Sequence, residues 1–188
     1  MNTKTIISIE DYLANEVAAE QKSEYHAGEV RMMSGAQPSH NQIAMNIGSA
    51  FLVCLKKKGC RVYSSDQLIH IPECEKFIYP DVTVVCENPQ YYQQEGVGLK
   101  ALINPLTVVE VLSPSTELYD RTEKFNCYKT IDTLQEYVLV DSQKPQVEVY
   151  HRQTDGWLLK SATNLKDIID ILGCKILLDD IYYLAIDQ

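Results

Sequence analysis

Apolar residues recur along this chain with two periods, and the places where each period holds mark out the elements. Ile9, Tyr12, Leu13 and Val17 stand at helical spacing behind Ser8, and Asp11 follows Ser8 as an acidic third residue, so a capped helix is expected from about Ile9 to Glu20. Tyr25-His26-Ala27-Gly28-Glu29-Val30 has extended-type residues on both sides of a glycine and fits a small hairpin that turns at Gly28. Pro38 and Ser39 open the clearest helix, in which Ile43, Ile47, Ala50, Phe51 and Cys54 form one apolar stripe that Gly59 stops. Short strands are then expected around Arg61 to Ser64 and Gln67 to Ile71, followed by a β-branched run from Tyr79 to Val85. Glu87 to Asn104 is polar, carries Gly96 and Gly98 and keeps no period, which predicts a mobile excursion between two core strands.

Leu106 to Leu112 is almost wholly apolar, as a central strand covered on both faces should be, and Ser113-Pro114 ends it. The pattern turns helical from Thr116 to about Ile131. Glu136 to Asp141 and Gln146 to Arg152 then form two strands joined at Lys144-Pro145, with a third at Trp157 to Leu159. The order is mixed α and β around one sheet, built from the Tyr79, Leu106, Glu136 and Gln146 strands and flanked by the Asn41 and Thr116 helices.

Length and composition narrow this picture. A chain of 188 residues falls within the roughly 100–200 residues of one domain, so residues 1–188 are expected to form a single unit. Six cysteines, at 54, 60, 74, 86, 127 and 174, include no C-x-x-C pair, so neither a zinc site nor a redox motif is indicated and free thiols are expected. No basic stretch leads into an unbroken apolar run at the start, and no run approaches the roughly 18 apolar residues of a membrane span. A soluble cytoplasmic protein is the expectation.

A net charge of −9 argues against a general electrostatic grip on nucleic acid, because such affinity comes from Lys and Arg displacing phosphate counterions. Lys56, Lys57, Lys58 and Arg61 supply one local basic patch, which also suits a solvated helix end. No Gly-x-Ser-x-Gly elbow frames Ser113 and Ser115, and no glycine-rich phosphate loop occurs, so serine hydrolysis, ATP and NAD are not implied.

One residue breaks the pattern. Glu110 stands between Val109 and Val111 in an otherwise apolar strand, where a lone charge costs several kcal/mol unless it is paired or binds a metal. Asp81, entering a second Val-rich strand after Tyr79-Pro80, is the best partner. If those strands are neighbours, the two carboxylates line an oxygen site that suits Mg²⁺ or Mn²⁺.

Tyr79-Pro80-Asp81-Val82, then Val108 to Thr116, then Asp120, Lys124 and Tyr128, then Glu136-Tyr137 and Val140-Asp141, together resemble the Uma-two family of bacterial endonuclease-like proteins. Gly28-Glu29-Val30 and Ser39-His40 extend the resemblance toward the N-terminus. It implies a restriction-endonuclease-like α/β fold of the PD-(D/E)XK type, with a mixed β-sheet flanked by helices. In that pattern a lysine follows the second acidic residue by two positions, but Leu112 stands there; the resemblance implies that Lys124, from the following helix, replaces it. Asp120 and Lys124 lie four apart on one helix face, which by itself suits an ordinary ion pair.

The activity implied is cleavage of a nucleic acid, DNA before RNA, with Asp81, Glu110 and the Val111 carbonyl holding Mg²⁺ or Mn²⁺. Lys124 would act on the nucleophile, and His40 on the phosphate or water. Glu29 would be an extra carboxylate, with Glu24 as the alternative, and a homodimer would cut two strands. A second class stays open: a non-catalytic interaction module that keeps the fold. So does a metal hydrolase acting on something smaller than a polynucleotide.

Overall fold

The computed structural model describes residues 6–186. Helix α1 (Ile9–Ala18) begins where Ser8 accepts the Asp11 N–H at 3.1 Å and donates to the Asp11 carboxylate at 2.7 Å. Strands β1 (Ser23–His26) and β2 (Glu29–Met32) follow as an antiparallel hairpin whose turn has φ of 47° at Ala27 and 95° at Gly28. A Cβ at Gly28 would stand 2.6 Å from the Ile6 side chain, so both conformation and space require glycine there. Helix α2 (Pro38–Leu55) takes Pro in its first turn, where the missing N–H costs nothing, and buries Ile43, Ile47, Phe51 and Leu55.

The middle of the chain is strand-rich: β3 (Arg61–Tyr63), β4 (Ile69–Ile71), β5 (Lys76–Ile78), β6 (Val82–Val85), β7 (Tyr91–Gln93), β8 (Lys100–Leu102) and β9 (Thr107–Leu112). A helical segment comes next in three pieces, α3 (Glu117–Tyr119), a π turn over Asp120–Lys124 and α4 (Phe125–Tyr128). Strands β10 (Glu136–Asp141), β11 (Val147–Gln153), β12 (Gly156–Ala162), β13 (Ile168–Ile171) and β14 (Cys174–Leu177) lead to α5 (Leu178–Ile181). Among the described residues no helix is long and apolar enough to cross a membrane.

Two six-stranded sheets organise these elements, with β13 and β14 paired apart as a two-stranded hairpin. The central one runs β12-β11-β10-β9-β6-β3, with β9 and β10 parallel; the other runs β2-β1-β5-β4-β8-β7. Alternation along the central strands divides its faces. Val82, Val84, Val109, Val111, Val138 and Val140 pack with α2, α5 and the β13–β14 hairpin, while Val108, Leu112, Tyr137 and Leu139 pack with α4 and with Ile69, Ile71 and Ile78 of the second sheet. The far side of the second sheet holds Tyr25, Leu68 and Phe77 against Tyr12 and Leu13 of α1. The expected restriction-endonuclease-like α/β architecture is therefore present, with a second sheet added to it.

Four expectations are corrected. The run Tyr79 to Val85 is not one strand, because the chain leaves the second sheet after β5 and enters the central one at β6. Pro80, which lacks an N–H for a ladder, marks the crossing. The Glu87 to Asn104 excursion contributes β7 and β8 to the second sheet, and Asn104 ties it together by accepting the Gln90 N–H at 2.8 Å and donating to the Asn88 carbonyl at 3.1 Å. The expected Thr116 to Ile131 helix carries a π turn at its centre.

The cysteines expected to be free are all paired, as Cys54–Cys174, Cys60–Cys86 and Cys74–Cys127. Sequence separations of 120, 26 and 53 residues hide such partners from any local motif. Disulfides persist in oxidising surroundings, which removes the cysteines as an argument for a cytoplasmic location.

The C-terminal hairpin, which hydrophobic patterning did not reveal, is fastened to the central sheet by a carboxyl group. Glu136 on β10 accepts the Leu172 N–H at 2.9 Å and meets His151 Nδ1 at 3.0 Å, while Lys58 donates to the Leu172 carbonyl at 2.9 Å. Burial pushes the Glu136 carboxyl from 4.5 up to about 7; Asp170 adds to the shift, and the Leu172 N–H and Lys160 oppose it. A folded-state value above the unfolded one means that the group's stability contribution is full below the unfolded value and is lost as pH rises through the folded value. Wild-type protein should therefore lose up to about 3 kcal/mol from this group between about pH 4.5 and pH 8, and Glu136→Gln should flatten that part of the profile. Urea unfolding at several pH values checks this, and an unchanged slope in the variant would remove Glu136 as its source.

Candidate active site

The crossing between the sheets sets the position of the first carboxylate. Val82 pairs with Val109 in the antiparallel β6–β9 ladder, and one further step of that register puts Asp81 opposite Glu110 on the same face. Asp81 Oδ2 accepts the Val111 N–H at 2.7 Å and lies 3.3 Å from His40 Nε2, at the start of α2. Glu110 Oε1 receives the Lys124 ammonium at 2.8 Å and the Tyr128 hydroxyl at 2.7 Å. Lys124 is also 3.5 Å from Asp120 Oδ1. These contacts fall on a single oxygen of each strand carboxylate.

Asp120 and Lys124 are the first and last residues of the π turn. Four apart, they share one face of it, and both are buried. Their side chains are only 5% and 7% exposed, so the pair is not the solvated i,i+4 contact that spacing alone suits. The Asp120 carbonyl accepts the buried Tyr137 hydroxyl at 2.9 Å.

Electrostatics follow from the crowding. Burial pushes the Glu110 carboxyl well above the usual range, with Asp120 and Asp81 pushing the same way and Lys124 opposing them. Burial alone would lower Lys124, but Glu110, Glu24 and Asp120 outweigh it and raise the ammonium well above its ordinary value, so it stays charged. Asp120 is also raised, by burial first. For His40, burial is outweighed by Asp81, the Val111 carbonyl and Asp120, and the net direction is up. Its Nδ1 is buried with no hydrogen-bond partner.

The expected extra carboxylates separate. Glu29 on β2 pairs with Arg31 at 3.2 Å. Glu24 on β1 turns to the cluster: its Oε1 accepts the Tyr79 N–H at 3.2 Å and its Oε2 meets His26 Nε2 at 3.2 Å. Burial would raise Glu24, yet Lys124, His26 and the Tyr79 N–H hold it below the usual carboxylate range. Sequence reasoning kept Glu24 only as an alternative and gave His26, Lys76 and Tyr119 no part. The one available signal was alternation on β1, which puts Glu24 and His26 on one face.

Among the described residues no group of three or more His, Cys, Asp and Glu side chains converges as a ready metal cage. The donor chemistry nevertheless fits a hard divalent cation. Glu110, Glu24 and Asp120 act on one ammonium, and Asp81 stands opposite Glu110 on the neighbouring strand, so carboxylates outnumber the lysine beside them. Mg²⁺ in particular uses one or two protein carboxylates and keeps several waters.

A cross-strand Asp–Glu pair backed by a lysine, on the face of a mixed sheet flanked by helices, is the layout of the restriction-endonuclease-like nuclease class. The chain belongs to the Uma2 family, described as "Putative restriction endonuclease", whose model matches residues 9–175. It is 35% identical over 158 residues to the uncharacterized protein sll1609 of Synechocystis sp., covering 84% of this chain and 88% of that one. It is 35% identical over 154 residues to slr1290 of the same organism, covering 81% and 78%. A crystal structure of a "putative nuclease belonging to DUF820" from Anabaena variabilis superposes with a TM-score of 0.72 over 95% of this chain and 99% of that one; at 18% identity the likeness is one of fold.

The burial of the ion pair makes a stability prediction. Lys124→Met leaves Glu110 buried without its counter-charge and should cost about 3–5 kcal/mol at pH 8. The cost should shrink as pH falls, because the raised Glu110 carboxyl then takes up a proton. Adding Glu110→Gln to Lys124→Met should recover part of the loss. Costs that simply add in a double-mutant cycle, measured by urea unfolding, would mean the two groups do not interact.

Proposed function

We propose that this chain is a divalent-metal-dependent phosphodiesterase that cuts nucleic acid, DNA in the first instance. The observation that carries the reading is the Asp81–Glu110 pair on adjacent strands with the Lys124 ammonium 2.8 Å from Glu110. Asp81, Glu110 and the Val111 carbonyl would hold Mg²⁺ or Mn²⁺. Such an ion acidifies a bound water and offsets charge that builds on the phosphate.

The chain's own groups have distinct tasks. Lys124, kept charged by its carboxylate neighbours, would orient the attacking water and add positive charge where the transition state gains negative charge. Tyr128 fixes the rotamer of Glu110 through its 2.7 Å hydrogen bond. His40, 3.3 Å from Asp81, is poised to hold that carboxylate or to contact the phosphate. Glu24, more than Glu29, suits the extra carboxylate, because Lys124 is the largest influence lowering it after burial is overcome. Cutting both strands of a duplex would take two copies, most simply a two-fold homodimer.

The non-catalytic interaction module keeps one observation in its favour: the same oxygen of Glu110 already receives Lys124 and Tyr128, and among the described residues no three His, Cys, Asp and Glu side chains converge as a metal cage. Supercoiled plasmid and single-stranded DNA incubated with Mn²⁺ decide between the two. Nicking should occur with wild type and vanish in Asp81→Ala, and Lys124→Ala should slow single turnover by about 10²–10³ while Mn²⁺ binding persists. Millimolar Mn²⁺ should raise the melting temperature of wild type and not of Glu110→Ala. Cleavage that survives in Asp81→Ala, or absence of any cleavage or metal-induced shift in wild type, would favour the interaction module.

A further inference from the structure

Next to the carboxylate cluster lies a second buried polar group that the proposed chemistry does not use. Lys76 on β5 and His26 on β1 are cross-strand partners in the second sheet. Their side chains are 7% and 5% exposed, uncommonly deep for a lysine. Both reach the Tyr119 hydroxyl: Lys76 Nζ donates to it at 3.1 Å, and His26 Nδ1 lies 3.5 Å from it. Lys76 Nζ also donates to Glu123 at 2.6 Å.

All of these contacts act on one element. Tyr119 is the residue before the π turn and Glu123 lies inside it, so the second sheet grips the turn at both residues. His26 in addition holds Glu24 Oε2 at 3.2 Å, joining that grip to a carboxylate on β1 whose charge acts on Lys124. A π turn is a rare local choice, and with one residue fewer per hydrogen-bonded ring it would become an α-helix. That change rotates later side chains by about 100° per displaced residue and would swing Lys124 off Glu110.

We propose that His26, Lys76 and Tyr119 are positioning residues: from the second sheet they hold the π turn and Glu24 so that the Lys124 ammonium stays over Glu110. The inference rests on the phosphodiesterase reading for its effect on rate, but not for its effect on the turn. None of the three touches the reacting atoms. Their loss therefore acts through the placement of Lys124, leaving substrate affinity and metal affinity in place.

The test compares wild type with Tyr119→Phe and Lys76→Met, using supercoiled plasmid and Mn²⁺. Both variants should lower kcat by about 10–100-fold, the effect of misplacing a catalytic group by about 1 Å, with KM and Mn²⁺ affinity within about twofold. Amide hydrogen exchange should speed up by about 10-fold or more across residues 119–124 and stay unchanged in β9 and β10. A rate loss that comes with an equal rise in KM, or with faster exchange throughout the chain, would reduce the three to general structural support and overturn the proposal. If wild type itself cleaves nothing, the phosphodiesterase reading fails, and exchange decides alone: local loosening of the turn sustains the positioning role, and an unchanged turn ends it.

Discussion

A lysine ammonium and a glutamate carboxylate, 2.8 Å apart and almost wholly out of water, are the contact on which the arrangement of this protein depends. Glu110 lies in the middle of the central sheet, in a strand whose every residue is buried. A carboxylate there is unfavourable by several kcal/mol unless something compensates it, and removing either partner leaves the other exposed to that cost. The helical segment after β9 therefore has to dock with Lys124 and Tyr128 on this face. Asp120 comes with them, buried at the first position of the π turn.

The second sheet gives the site its walls. Because the chain crosses from β5 to β6 at Tyr79-Pro80-Asp81, Asp81 stands at the junction of the two sheets, and the Tyr79 N–H is free to hold Glu24. Strand β1 brings Glu24 and His26, β5 brings Lys76, and the start of α2 brings His40. These polar groups come from several elements far apart in the chain, so the site is a product of how layers meet. Apolar packing of Ile69, Ile71 and Ile78 against Val108, Leu112 and Tyr137 holds the layers together beside it.

Charge is distributed unevenly with respect to this site. Lys56, Lys57 and Lys58 sit beyond the C-terminal end of α2, while His40 lies at its beginning, a distance of roughly 25 Å at 1.5 Å per residue. Lys58 is occupied there with the Leu172 carbonyl of the C-terminal hairpin. One lysine of the local basic patch thus serves to fasten the hairpin.

By itself the sequence determined the central strands, both long helices, the β1–β2 turn at Gly28 and the pairing of Asp81 with Glu110. Those features rest on local conformational preference and on the cost of a charge in an apolar run, which are legible one segment at a time. Lys124 was legible only through family resemblance, since its spacing from Asp120 is equally that of a surface pair. Tertiary structure alone decided the disulfide partners, the sheet formed by β7 and β8, and the grip of His26 and Lys76 on Tyr119. It also decided that Glu24, and not Glu29, faces Lys124. The reason is physical: these depend on the register between strands far apart in the chain and on which face a layer covers, and a side chain's neighbours across such a junction leave no trace in its own segment.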